Sequence, residues 1–179
     1  AQLLDATPGK PTRSRGDALA KPFRANNLER ARQIPITQSM LTGKWERQDP
    51  GPFGKHFDDL WFTNAPGAKL SFRFKGTSVS LFDLMGPDTG RAKITVDGQD
   101  KGIRQQVDPW CYYQRLSALP IASGLEDREH IVTVELLPDP PDRSVPLAEA
   151  KKANRYSAKD FEGVAFRFGW IRVVGEAAR

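Results

Sequence analysis

From position 69 onward the chain alternates apolar and polar residues with a period of two. Leu70, Phe72 and Phe74 alternate with Ser71, Arg73 and Lys75, which is the period of a half-buried strand. Gly76-Thr77 interrupts the run. Beyond it Val79, Leu81 and Asp83 share one face, and Ser80, Phe82 and Leu84 share the other. Both faces are largely apolar, so this segment is expected to lie in the middle of a sheet. Ala92, Ile94 and Val96 alternate with Arg91, Lys93 and Thr95, and Asp97-Gly98 after them suits a hairpin turn. Ile131 to Leu137 reads as a strand ended by Pro138, Pro140 and Pro141. Phe166, Phe168, Trp170 and Ile171 to Val174 read as a closing strand.

Four further extended segments are expected: Met40 to Arg47, carrying Trp45; Leu60 to Thr63; an aromatic stretch from Ile103 to Leu116; and Ser117 to Ile121. Asn64-Ala65-Pro66-Gly67 is a turn, and Gly86-Pro87-Asp88-Thr89-Gly90 a loop. Two short helices are expected. One covers Asn26 to Arg32 with Asn26 as its cap. The other covers Leu147 to Asn154, with Pro146 at the first helical position, inside a polar insertion at 142–162. Residues 1–22 have no apolar period and are broken by Pro8-Gly9, Pro11, Gly16 and Pro22, which fits a linker or extended arm. Residues 23–176 then form one domain. Short strands separated by Gly and Pro turns make that domain an all-β sandwich rather than an alternating β/α fold.

Composition agrees. A chain of 179 residues with ten Phe, fifteen Gly and fourteen Pro is long enough for one good core and rich in turns. The net charge is +5. Much of the basic excess lies near the start, where Lys10, Arg13, Arg15, Lys21, Arg24, Arg30 and Arg32 face only Asp5, Asp17 and Glu29. The rest is nearly balanced, so no nucleic-acid partner is expected. No apolar run approaches the roughly 18 residues of a membrane-spanning helix. The one cysteine, Cys111, excludes an intrachain disulfide and is expected to pack as a small buried hydrophobe.

Candidate catalytic chemistry is sparse. The only histidines are His56 and His130. His130 opens a strand and is expected at a sheet edge, bonded to backbone. His56 lies beside Asp58 and Asp59 in a loop, yet the chain has no Gly-x-Ser-x-Gly nucleophile elbow. Gly16-Asp17-Ala18-Leu19 resembles Gly-Asp-Ser-Leu but carries alanine where a nucleophile would stand. One Cys and two distant His give no zinc spacing. Hard oxygen ligands are the better metal candidates, with Asp58, Asp59, Asp88 and Asp97 as loop carboxylates for a structural calcium. A loop carboxylate of this kind is more often a turn or capping residue, and no other cofactor is indicated.

The strongest candidate for binding is Val107-Asp108-Pro109-Trp110-Cys111-Tyr112-Tyr113-Gln114-Arg115. In this reading sugar rings are expected to stack their C–H faces on Trp110 and Tyr112, with Asp108, Gln114 and Arg115 pairing with hydroxyls. The competing reading is that alternate aromatics pack inward and Arg115 pairs with Asp83 or Asp108 to brace the sheets.

Several segments occur in an order similar to that of the C-terminal accessory domain of certain bacterial SGNH/GDSL-type hydrolases (esterases acting on carbohydrate). They are Asn27-Leu28-Glu29-Arg30-Ala31, Ile34-Pro35-Ile36, Gly43-Lys44-Trp45 and Pro66-Gly67-Ala68, then Phe72 to Thr77, Gly86 to Gly90 and Val96 to Gly98. Asp108, Cys111, Tyr113 and Arg115 complete the series. The resemblance spans Asn26 to Gly175. It implies a galactose-binding-like jelly-roll sandwich, non-catalytic itself, serving an SGNH/GDSL-type catalytic domain. It also implies a carbohydrate ligand and a periplasmic or extracellular setting. Alternatives are a structural domain that packs on the catalytic one, and a hydrolase in its own right.

Overall fold

The computed structural model describes residues 28–177. The arm read over residues 1–22 and the Asn26 cap lie outside the described residues. Nine strands follow in chain order: β1 (Ala31–Pro35), β2 (Leu41–Thr42), β3 (Glu46–Gln48), β4 (Leu60–Thr63), β5 (Lys69–Met85), β6 (Arg91–Val96), β7 (Gln99–Gln105), β8 (Arg115–Leu136) and β9 (Phe166–Ala177), with one α-helix, α1 (Ser144–Lys152), before β9. The strands pair antiparallel in the order β3-β4-β9-β5-β8-β6-β7, with β1 added to β9 and β2 to β5.

The sheet curls on itself because β5 and β8 are long enough to serve both halves. Leu70 to Gly76 pair with the end of β8, and Ser78 to Met85 pair with its beginning. The bend falls where Gly76 faces Gly175 of β9 in register. A Cβ on Gly76 would lie 2.2 Å from the Val174 carbonyl oxygen, and one on Gly175 2.0 Å from that of Lys75. Only glycine permits this approach. On the opposite side, β8 carries the extra residues Gly124 to Asp127 between its two paired stretches, and a bulge of this kind sharpens the turn.

The two halves close on one core. Leu70, Phe74, Ile94, Val132 and Val134 from one half meet Leu81, Leu119, Phe168 and Ile171 from the other, all essentially inaccessible. The second face of β5 is also covered: Phe82 and Leu84 pack with Phe53, Phe57, Leu60, Leu116 and Trp170. This double burial is the reason both faces of the Val79–Leu84 pattern are apolar. The architecture is the all-β sandwich that the alternation predicts, of the jelly-roll type that the resemblance implies.

Four local expectations are corrected. Residues Ala31 and Arg32 belong not to a helix but to β1, which pairs with the exposed edge of β9; pairing with a waiting edge outweighs the propensity of a one-turn helix. Met40 to Arg47 is not one strand. It divides into a 3-10 turn, β2 and β3, with Gly43 between them at φ 89°. The Ile103–Leu116 stretch is likewise interrupted, because β7 ends at Gln105 and β8 begins at Arg115. Finally, α1 starts at Ser144, where Asp142 Oδ1 accepts the Ser144 N–H at 2.9 Å. Pro146 is therefore its third residue rather than its first, still within the turn where no intrahelical N–H is needed.

Candidate functional site

Between β7 and β8 the chain makes a compact loop. Asp108 Oδ1 accepts the Trp110 N–H at 2.8 Å, and the Cys111 N–H donates to the Asp108 carbonyl at 3.1 Å. Cys111 is the anchor. It is 2% exposed, and its Sγ accepts the Asp108 N–H at 3.3 Å. Burial pushes the thiol up to about 11, which suits a structural role and not a nucleophile. An ion pair between Asp108 and Arg115 closes the base of the loop. With the sulfur held inside, the neighbouring Trp110 is forced out, and 56% of it is exposed. Its ring centroid is 6.3 Å from that of Tyr112, which meets Tyr113 edge-on at 5.0 Å.

Tyr112, Tyr113 and Gln114 form one wall of a cleft of about 590 Å³. Pro87 and Asp88 of the β5–β6 loop and Arg167 of β9 contribute further lining, as do Lys159, Asp160 and Glu162 of the insertion. The base is rigid. Arg167 is nearly buried and grips Asp88 with two parallel bonds of 2.8 and 2.7 Å, a bidentate geometry that fixes both side chains. The Gly86–Gly90 loop is sewn to the start of β9 by Ala165 N–H to the Asp88 carbonyl at 2.8 Å and Gly90 N–H to the Ala165 carbonyl at 3.0 Å.

The insertion wall is tied down by Arg143. Its guanidinium donates to the carbonyls of Phe161 at 2.6 Å, Gly163 at 2.9 Å and Thr89 at 3.2 Å. Desolvation lowers the Arg143 pKa, opposed by the nearby Asp88 carboxylate. One side chain thus connects the 142–162 excursion to the loop bearing Asp88.

Beneath the aromatic loop lies a buried carboxyl. Asp83 is 2% exposed. The Gln106 amide, oriented so that both ends are satisfied, donates to Asp83 Oδ2 at 2.7 Å and accepts from Ser117 Oγ at 2.8 Å and Leu119 N–H at 3.2 Å. Asp83 Oδ1 has no partner. Burial raises the pKa of this carboxyl to about 7, with Gln106 and Arg172 opposing the shift.

Among the sequence candidates, Tyr112 and Gln114 line the cleft and Trp110 stands exposed beside Tyr112. Asp108 and Arg115 are occupied with each other at the base of the loop. The structure adds Arg167, Lys159, Asp160 and Glu162, which pattern reading missed. One signal was available: Arg167 lies between Phe166 and Phe168 in an apolar strand, and a buried guanidinium needs a carboxylate partner.

His130 does not open a strand, though it has the backbone bond expected of it. It sits inside β8, 2% exposed, with Nδ1 2.8 Å from Asp97 Oδ2 and Nε2 2.8 Å from the Glu126 carbonyl. Both ring nitrogens are engaged, so neither is available as a base. The His56 ring is exposed, and its residue serves the fold through its carbonyl, which accepts the Trp170 indole N–H at 3.1 Å.

The four loop carboxylates do not converge on a calcium site. Asp59 pairs with Arg47 and Asp88 with Arg167. Asp97 accepts from Ile131 N–H and contacts His130, and Asp58 is exposed. Asp88 and Asp97 flank opposite ends of the six-residue β6, roughly 20 Å of extended chain. Among the described residues no group of three His, Cys, Asp or Glu side chains is placed to hold a metal ion. These four carboxylates therefore do not share one site. Among the same residues no helix is long and apolar enough to cross a membrane.

No family profile matches the chain, and no curated protein does. Solved structures do. A two-domain esterase active on acetylated mannans superposes with a TM-score of 0.60 at 14% identity, over 98% of this chain and 43% of that one. The same type of enzyme co-crystallised with mannopentaose gives 0.58 at 15% identity, over 89% and 40%. A family two carbohydrate esterase from Cellvibrio japonicus gives 0.51 at 11% identity, over 82% and 34%. The likeness establishes a shared jelly-roll fold. The chain spans between about a third and somewhat over two fifths of the length of these proteins.

Proposed function

We propose that this chain is a non-catalytic carbohydrate-binding module of a polysaccharide-directed ester hydrolase of the SGNH/GDSL type. The observation that carries this reading is the aromatic loop, where a buried Cys111 turns Trp110 outward beside a polar cleft walled by Tyr112, Tyr113 and Gln114. Trp110 and Tyr112 supply faces for sugar rings, and Gln114 supplies donors and acceptors for hydroxyls. Asp108 and Arg115 hold the loop in its binding shape. The fold shared with esterases at partial coverage supports an accessory role. A periplasmic or extracellular location belongs to the same reading, because that is where such polysaccharides are met.

The test is binding of the purified chain to a glycan array that includes mannan and xylan oligosaccharides. Specific binding abolished by Trp110→Ala supports the module. Absence of binding by a folded sample refutes it and favours the second reading, a structural domain docked on its hydrolase. The exposed pair Trp110 and Tyr113 would then be part of the interface.

A further inference from the structure

A second surface, separate from the aromatic cleft, has a different chemistry. Two depressions of about 460 and 360 Å³ adjoin across β5 and share Ser78 and Ser80. Lys101 and Arg104 of β7 line the first with Ser123, and Arg172 of β9 lines the second. Arg32 stands at the far end. No Asp or Glu lines either depression. Among the described residues, none of these four cations forms a salt bridge; Lys101 donates instead to Gln99 Oε1 at 3.0 Å, and Arg104 to the Lys101 carbonyl at 3.0 Å. Of the carboxylates close in sequence, Asp100 is paired with Lys93, Glu126 with Arg128, and Asp127 and Glu176 with Arg30, while Glu29, near Arg32, forms no salt bridge among the described residues and lines neither depression. Arg172 favours ionisation of the buried Asp83 carboxyl, which lines neither depression.

We infer that this trough binds an acidic polysaccharide, with Lys101, Arg104 and Arg172 pairing with uronate carboxylates and Ser78, Ser80 and Ser123 with ring hydroxyls. Uncompensated cations along a concave surface focus a positive potential that selects anions. Interspersed hydroxyls match a ligand that carries carboxylates and hydroxyls on the same ring. A nucleic acid is disfavoured, because no aromatic side chain lines either depression, and the Phe82 ring that Arg172 covers at 3.7 Å is not free to stack on bases. The inference does not depend on the cleft reading.

Affinity electrophoresis of the purified chain against polygalacturonate, neutral mannan, polyglutamate and single-stranded DNA tests it. Retardation by polygalacturonate alone is expected, weakened about tenfold by high salt as exposed charges are screened. Lys101→Gln combined with Arg104→Gln should weaken it at least as much with an unchanged melting temperature. Arg172→Met, which keeps the packing on Phe82, provides a second variant if the first is unstable. Trp110→Ala should leave this binding intact. If Trp110→Ala abolishes it, the acid polymer lies in the cleft and the trough assignment fails while the cleft reading survives. No retardation by polygalacturonate, or equal or stronger retardation by polyglutamate or DNA, also overturns it.

Discussion

Asp97 holds His130 in place across the β6–β7 turn: its Oδ2 lies 2.8 Å from His130 Nδ1 while its Oδ1 accepts the Ile131 N–H at 2.9 Å. Asp97 adopts φ 53° to do so, a conformation that Asp and Asn tolerate better than most residues. Asp97→Ala leaves a nitrogen of a buried imidazole unpaired, at an expected cost of about 1–3 kcal/mol. Asp97→Asn, which retains the turn and one acceptor, should cost less. The Ile131 N–H first, and His130 second, hold the Asp97 carboxyl below the ordinary carboxylate range. Its contribution is therefore complete above the unfolded-state pKa and lost as pH falls through the folded one. Urea denaturation should show the gap between wild type and Asp97→Ala narrowing in acid.

Asp83 has the opposite sign. Its carboxyl is raised to about 7, so the folded state binds the proton more tightly than the unfolded chain. Stability contributed by the protonated form is greatest below the ordinary carboxylate pKa and declines as pH rises towards about 7. Asp83→Asn cannot ionise, and it should raise the melting temperature more at alkaline than at acid pH. Equal shifts at both would show that the carboxyl does not titrate in the fold as described.

Gly169 marks a close approach. A Cβ there would fall 1.9 Å from Phe57 Cδ1. Gly169→Ala should displace the Phe57 ring from its cluster and destabilise by about 1–3 kcal/mol. Combining it with Phe57→Leu should cost less than the sum of the two single changes in a double-mutant cycle.

Trp110 is exposed, so Trp110→Ala should change stability by no more than about 0.5 kcal/mol. Under the proposed function, glycan binding should fall about tenfold or more, which corresponds to ~1.4 kcal/mol. Calorimetric titration together with a thermal melt separates the two effects.

Arg143 binds three carbonyls, of Thr89, Phe161 and Gly163. Arg143→Met leaves these acceptors unpaired and should lower stability by about 1–3 kcal/mol. It should also weaken glycan binding, because the wall bearing Lys159 and Glu162 loses its tether. Arg143→Lys should restore only part of either property, since an ammonium lacks the planar fork.

The alternation Leu70-Phe72-Phe74, the two apolar faces from Val79 to Leu84, and the Asp97-Gly98 turn were all legible along the chain. Local stereochemistry and a period of two determine them. The burial of Cys111 was legible from its residue type alone; its role as the anchor of the loop was not. Tertiary structure decided the rest. Ala31 and Arg32 became a strand because β9 presented an edge to pair with. The aromatic segment became a loop, not a strand, because Cys111 is pulled inward and Asp108 closes on Arg115. The cleft draws residues from position 87 to position 167, and the trough joins β5, β7, β8 and β9. A period along one strand fixes which face a side chain takes, whereas a binding site depends on which distant strands come to lie beside it. That choice is made by the burial of apolar faces and by paired groups such as Asp88 with Arg167, interactions that no local pattern contains.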